Sequence, residues 1–167
     1  IVASGCGPKA YTRGKYVDPE RVDLLSDKFV EADLQQIADQ LSASLLASEP
    51  ANSGKKPAVI LSLFTNATDE HIDMVSLTKM IQHKVIKSRK FRFLNKRLRG
   101  EIAKEYEYQQ SGFVSAEQAK AQGSQIGADY MISGHIASIR QPVGKREIVY
   151  YKTTGELTNI LTSEIEW

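Results

Sequence analysis

Apolar and polar positions along this chain change their period several times, and each change marks an element. From Ala58 to Phe64 (AVILSLF) nearly every residue is apolar, with Val59, Ile60, Leu61 and Leu63 leading to Phe64. A run this short suits a buried central strand, because a helix of that composition would be unusually brief. Asn66, Thr68 and Asp69 follow. Their short polar side chains predict a turn and the N-cap of a helix, where free N–H groups need acceptors. Glu70 and Asp73 suit the positive end of that helix. Met74, Leu77, Ile81 and Val85 then recur at helical spacing, with Lys84, Lys87 and Arg89 toward the far end. Phe91 and Phe93 alternate about Arg92 and predict a return strand. The remaining segments are expected to pack on this unit, Pro57 to Arg92.

Upstream, Leu34, Ile37, Leu41 and Leu45 share one face of a helix predicted over Glu31 to Ser48, with Asp33 in its first turn. Glu49 to Lys56 reads as a loop. Downstream, a third helix is predicted from about Leu98 to Gln110 with Leu98, Ile102 and Tyr106 turned inward. A fourth opens on the capping-box pattern Ser115–Gln118, carries the small residues Ala116, Ala119 and Gly123, and ends at Gly127 as a left-handed cap. Tyr130 to Arg140 alternates as a strand. The turn Gln141-Pro142-Val143-Gly144 returns it into Glu147 to Thr154, a hairpin. Thr158 to Trp167 predicts a last strand or strand pair turning near Thr162 and Ser163, with Ile165 and Trp167 on one face. The apolar ending on Trp167 predicts a truncated product or fragment, since termini usually fray into polar tails.

The order of elements places the chain in the mixed α/β (α+β) class, and 167 residues suit one domain. A hydrophobic share of 41% is enough for a core. With 22 basic against 20 acidic side chains the net charge is only +2, which gives no bulk attraction for nucleic acid. One cysteine excludes an internal disulfide, and three scattered histidines make a poor metal-site inventory.

The densest local charge is the run Lys87, Arg89, Lys90, Arg92, Lys96, Arg97 and Arg99, interleaved with Phe91 and Phe93. Such a run can contact phosphates and stack bases. Strand alternation, however, buries the two phenylalanines and leaves the cations on a solvated face, which favours a protein-binding patch over nucleic acid. A second binding candidate is Tyr106, Tyr108, Gln109 and Gln110 with Gly112 and Phe113, because tyrosine is enriched in binding hot spots. The plainer reading keeps Tyr106 in the core and Tyr108 merely exposed. Glu70, His71 and Asp73 resemble an acid–base or metal cluster, but capping of the helix accounts for all three, and His83 and His135 have no partner at ligand spacing. No phosphate cradle, nucleophile elbow or paired metal motif is present. Neither an enzyme nor a cofactor is expected.

At the start, Ile1 and Val2 read as the tail of an apolar signal segment, and Ala3, Ser4 and Gly5 are the small residues a signal peptidase needs before Cys6. This resembles the lipobox of bacterial lipoproteins, in which the cysteine becomes the acylated first residue. The alternative is a free thiol in a cluster of small residues. Residues 1–5 are thus expected to be a signal-peptide remnant and residues 6–29 a lipidated flexible tether, with the globular domain over 30–167. Two or more acyl chains would anchor it stably, and Gly7 in place of an aspartate would direct it to the outer membrane. About 24 residues from Cys6 reach at most ~80 Å fully extended, but only ~25–30 Å as a coil.

Several segments together resemble the LpoB family, outer-membrane lipoprotein activators of class A penicillin-binding proteins. They are YVDP at Tyr16–Pro19, ADLQQ at Ala32–Gln36, NATDEHID at Asn66–Asp73, KFRF at Lys90–Phe93, YQQSG at Tyr108–Gly112, GADYM at Gly127–Met131, Gly134, YYK at Tyr150–Lys152 and IEW at Ile165–Trp167. The resemblance implies a three-layer domain related to the N-terminal domain of TolB, with a mixed sheet of about four to five strands flanked by about four helices. It also implies a non-catalytic protein on the periplasmic face of the outer membrane, and the chain is expected to be monomeric. Such a protein would bind the regulatory domain of a class A synthase and stimulate peptidoglycan synthesis. The contact surface is expected around Arg89, Lys90, Arg92, Tyr108, Gln109 and Phe113. An envelope lipoprotein of the same fold, serving in structure, secretion or surface assembly, is the alternative. Two departures stand out: the tether is short and not proline-rich, and the turn Asn159–Ser163 lacks a glycine.

Overall fold

The computed structural model of the chain describes residues 29–120, 122–144 and 146–167, with the side chain of 146 excepted. Cys6 and the expected signal remnant lie outside the described residues, as does the tether up to residue 28. The elements are helix α1 (Glu31–Ala47), a short helix α2 (Glu49–Asn52), strands β1 (Ala58–Leu61) and β2 (Thr65–Ala67), helix α3 (Met74–Ser88), strand β3 (Arg92–Phe93), a 3-10 turn (Lys96–Leu98), helix α4 (Arg99–Gln110), and the hairpin strands β4 (Tyr130–Val143) and β5 (Arg146–Asn159). Among the described residues the result is a mixed α/β fold with four helices and a five-stranded sheet, as expected.

Strand β4 organises the sheet. Along one edge β5 pairs with it antiparallel over its whole length; β1 and β2 pair with it parallel at successive positions, Leu61 opposite Ile132 and Asn66 opposite Ile136. Since a strand has only two edges, β1 and β2 are one interrupted strand along the second edge, and β3 closes the sheet beyond β1. Leu61, Ile132 and Leu157 line up across three strands, all buried. They face Leu34, Ala38 and Leu45 of α1 and Leu77, Ile81 and Val85 of α3, so these two amphipathic helices and one face of the sheet enclose the core. Full burial of each such leucine or isoleucine contributes about 1.5–3 kcal/mol. Asp39 of α1 pairs with Lys84 of α3 across the outside of the helix layer.

The central unit differs from expectation in its details. The apolar run breaks after Leu61: Phe64 turns into the core, its N–H donating to Thr78 Oγ1 at 3.2 Å, and Leu63 is left 55% exposed. The polar residues after it form β2 rather than only a turn. Asn66 does make a turn, accepting from the Thr68 N–H at 2.9 Å and donating to the Glu70 carbonyl at 2.7 Å. The helix, however, is capped by Asp73, which accepts from the Ser76 N–H at 3.0 Å. Capping therefore explains Asp73 alone among Glu70, His71 and Asp73. At α1, Asp33 reaches back to accept from the Val30 N–H at 2.8 Å.

Two expected features are absent from their places. Helix α4 forms but buries no side chain, and Leu98 and Ile102 are exposed rather than inward. A fourth long helix over Ser115 to Gly127 does not form among the described residues. Ser115 starts a single turn, accepting from the N–H groups of Gln118 and Ala119 at 3.0 Å, and Gly123 then takes a φ of +86°. Alanines at helical spacing bury too little apolar surface to offset the cost of nucleating a helix. The loop after α1 instead contains α2, with Pro50 near its start.

The hairpin is longer than expected. Pro142 belongs to β4 and pairs with Glu147, so the reversal comes later than expected, after Val143, with Gly144 at φ +65°. At the other end the chain doubles back over Asn159–Ser163, and Glu164–Trp167 pairs with the end of β5 through Leu157 N–H to Trp167 O at 2.7 Å and Asn159 N–H to Glu164 O at 2.8 Å. Ser163 adopts φ +63° in this turn, the left-handed position where a glycine would be easier. Trp167 is packed against the core while Ile165 stays 62% exposed.

Candidate functional site

Along the basic stretch expected to meet a partner, Arg89, Lys90 and Arg92 do different things. Helix α3 ends at Ser88, and Arg89 adopts a left-handed φ of +57° as its C-cap, with its side chain exposed. Lys90 is turned inward: Nζ donates to the Leu46 carbonyl at 2.8 Å and to Asn52 Oδ1 at 2.6 Å. It thereby clamps the end of α3 to α1 and α2. Arg92 donates from Nε to the Lys56 carbonyl at 3.0 Å and leaves the rest of its guanidinium exposed. Arg89 and Arg92 remain available to a partner; Lys90 is occupied within the fold.

At the end of α4, Tyr108 and Phe113 stack with ring centroids 5.6 Å apart and planes 12° from parallel. Gly112, at φ +92°, makes the reversal that brings Phe113 back over the helix end. The pair is exposed, Phe113 to 78%. Gln109 fixes the loop that follows, donating to Glu105 Oε1 and accepting from the Lys120 N–H, both at 2.9 Å. The structure thus brings Tyr108, Gln109 and Phe113 into one cluster. No hydrogen bond, ion pair or ring contact among the described residues joins them to Arg89, Lys90 and Arg92.

Two features escaped the sequence reading. The first is a hub at Arg140, whose guanidinium meets Asp69 twice at 2.9 Å, Glu147 at 2.9 Å and Glu70 at 3.1 Å. The hydrogen bond from Arg140 holds the Asp69 carboxyl below its ordinary 3.8. Beside the hub, Phe29 packs edge-on against Tyr151 at 5.0 Å, and burial pushes the Tyr151 hydroxyl up to about 12. That hydroxyl lies near Glu70 yet has no hydrogen-bond partner of good geometry among the described residues. The strand pattern placed Arg140 on β4, and Glu147 lies seven positions on across the hairpin, but Asp69 and Glu70 are some seventy positions away, a pairing no local periodicity reveals. The second is a groove beside Leu63, created where β1 breaks.

Among the described residues no group of three or more histidine, cysteine or carboxylate side chains could hold a metal ion. No described helix is long and apolar enough to cross a membrane.

None of the curated proteins searched matches the chain. Among solved structures, the LpoB C-terminal domain from Salmonella enterica matches with a TM-score of 0.50 and 12% identity, over 81% of this chain and 93% of that one. The LpoB C-terminal domain from Escherichia coli gives 0.48 and 13% over the same shares. At this identity the Salmonella domain speaks for the fold alone. The family model described as "Peptidoglycan-synthase activator LpoB" matches residues 33–167, which is most of the sequence and nearly all of the described structure. The chain belongs to the LpoB family of peptidoglycan-synthase activators.

Proposed function

We propose that this chain is a non-catalytic lipoprotein that binds the regulatory domain of a class A penicillin-binding protein and stimulates its glycan polymerisation and peptide cross-linking. Acylated Cys6 anchors it on the periplasmic face of the outer membrane. The observation that carries this reading is the match of residues 33–167 to the activator family. Activation works by population shift: the domain binds an active conformation of the synthase more tightly than an inactive one, since equal affinity for both changes nothing.

The contact surface on this reading includes Arg89, Arg92 and the stacked pair Tyr108 and Phe113. Exposed aromatic rings held by their own stacking lose little conformational freedom on binding, a property of hot-spot side chains. Lys90 and Gln109 support this surface from within.

The test is glycan polymerisation by the cognate class A synthase, measured with and without the chain, alongside a binding titration. Saturable binding with stimulation is expected, and Tyr108→Ala with Phe113→Ala should weaken binding by about tenfold, equivalent to about 1.4 kcal/mol. An active synthase that is neither bound nor stimulated defeats the reading and leaves an envelope lipoprotein with a structural, secretion or assembly role.

A further inference from the structure

A groove of about 400 Å³ runs between the end of β1, the first turns of α3 and the chain that leaves β3. Its shape comes from the break in the central strand. The Ser62 N–H still reaches the Ile132 carbonyl at 2.8 Å, and Phe64 turns into the core, so Leu63 between them faces out. Opposite stands Val75 of α3, 51% exposed, with Lys79 one turn further along. On the third side the Leu94 N–H bonds the Val59 carbonyl at 2.8 Å, after which Asn95 accepts from the Arg97 N–H at 3.2 Å. That cap turns the chain sharply and sets Lys96 and Arg97 on the rim.

The lining combines large apolar side chains left half in water with charge of a single sign. Leu63, Val75 and the half-buried Phe93 provide the apolar surface; Lys79, Lys96 and Arg97 provide the cations, and no carboxylate lines the groove. None of these cations is in an ion pair among the described residues. Positive charge around an apolar slot in a nearly neutral chain is complementary to a ligand that is both acidic and apolar. The groove also borders β3, the terminal strand of the sheet, whose outer main-chain groups pair with no other strand among the described residues. In this two-residue strand the N–H groups of Arg92 and Leu94 bond toward β1, so it is Phe93 that offers main-chain groups to an extended peptide whose side chains enter the slot.

We propose that this groove docks an extended, acidic segment of a partner protein through one or more large apolar side chains. The inference rests on the activator reading, in which that segment belongs to the class A synthase. It adds a second contact to the surface at Arg89, Arg92, Tyr108 and Phe113, reached along the continuous stretch Arg92–Arg97.

The test titrates the 167-residue chain against the cognate synthase, and separately against phosphatidylglycerol vesicles. The variants are Lys96→Glu with Arg97→Glu, Leu63→Ser with Val75→Ser, and Lys152→Glu as an exposed control outside the groove. Both groove variants should weaken synthase binding by about tenfold or more, and the charge pair should also flatten its salt dependence, with Lys152→Glu near wild type. The replaced side chains are exposed or half-exposed, so thermal unfolding should change little. If wild type binds the synthase and both groove variants bind equally well, the groove assignment alone is overturned. Wild type that does not bind overturns the activator reading as well. Variants that lose vesicle binding while keeping the synthase assign the groove to lipid, which also overturns the inference.

Discussion

The indole of Trp167 lies over the Cα of Gly155: a Cβ built there would come within 2.7 Å of the ring. The same indole donates to Ser44 Oγ at 2.9 Å, so the last residue ties β5 to α1. Gly155→Ala should displace the ring and destabilise the fold by about 1–3 kcal/mol, as overpacking does. Trp167 is the sole tryptophan, so its fluorescence reports the displacement without ambiguity. Gly134, the register partner of Gly155, is tighter still, since its added Cβ would overlap both the Phe64 ring and the Thr154 carbonyl. A backbone atom cannot swing aside, so Gly134→Ala should cost more than Gly155→Ala in urea midpoint. The reverse order would show that the strand pair yields more easily than the indole.

The hub at Arg140 predicts a pH effect with a definite sign. Asp69 titrates below its ordinary 3.8 in the folded chain, chiefly through the hydrogen bond from Arg140. A folded pKa below the unfolded one stabilises the fold above the unfolded value, and that contribution is lost as pH falls through the folded pKa. Arg140→Met should therefore move the Asp69 carboxyl, followed by NMR, up toward 3.8. The stability gap between this variant and wild type should narrow from about pH 5 to about pH 3. A gap that widens on acidification contradicts the assignment.

Arg89 sits in a conformation that favours glycine, at φ +57°, while carrying an exposed cation at the proposed contact surface. Arg89→Gly should raise thermal stability by up to about 1 kcal/mol, the strain of a left-handed non-glycine residue less the entropy glycine adds to the unfolded chain. The same change should weaken synthase binding. Greater stability with undiminished binding would remove Arg89 from the surface.

Lys90 should behave in the opposite way. Its Nζ serves the Leu46 carbonyl and Asn52 rather than solvent. Lys90→Met should lower the urea midpoint by the equivalent of about 1–3 kcal/mol and leave the affinity of the folded fraction near wild type. Lost affinity at unchanged stability would return Lys90 to the interface.

Much of the architecture can be read from local order. The helical spacing of Leu34, Ile37, Leu41 and Leu45 and of Met74, Leu77, Ile81 and Val85 located both core helices, because burying one face is what most stabilises a helix in a domain. Alternation located the hairpin, and the run at Ala58 located the central strand. Chemistry at single positions also marked the basic edge and the aromatic cluster. What tertiary structure decided is which of these groups remain free. Lys90 and Arg89 are adjacent and chemically alike, yet one is held by α1 and α2 and the other is not. Leu63 belongs to the same apolar run as Leu61, but a ladder broken by the inward turn of Phe64 sends it outward. Arg140 reaches Glu147 through the hairpin, but it meets Asp69 and Glu70, on the loop after β2, only because strands distant in sequence lie side by side. Periodicity records the faces of one element; exposure and pairing depend on what folding brings against each face, and that is a property of the whole chain.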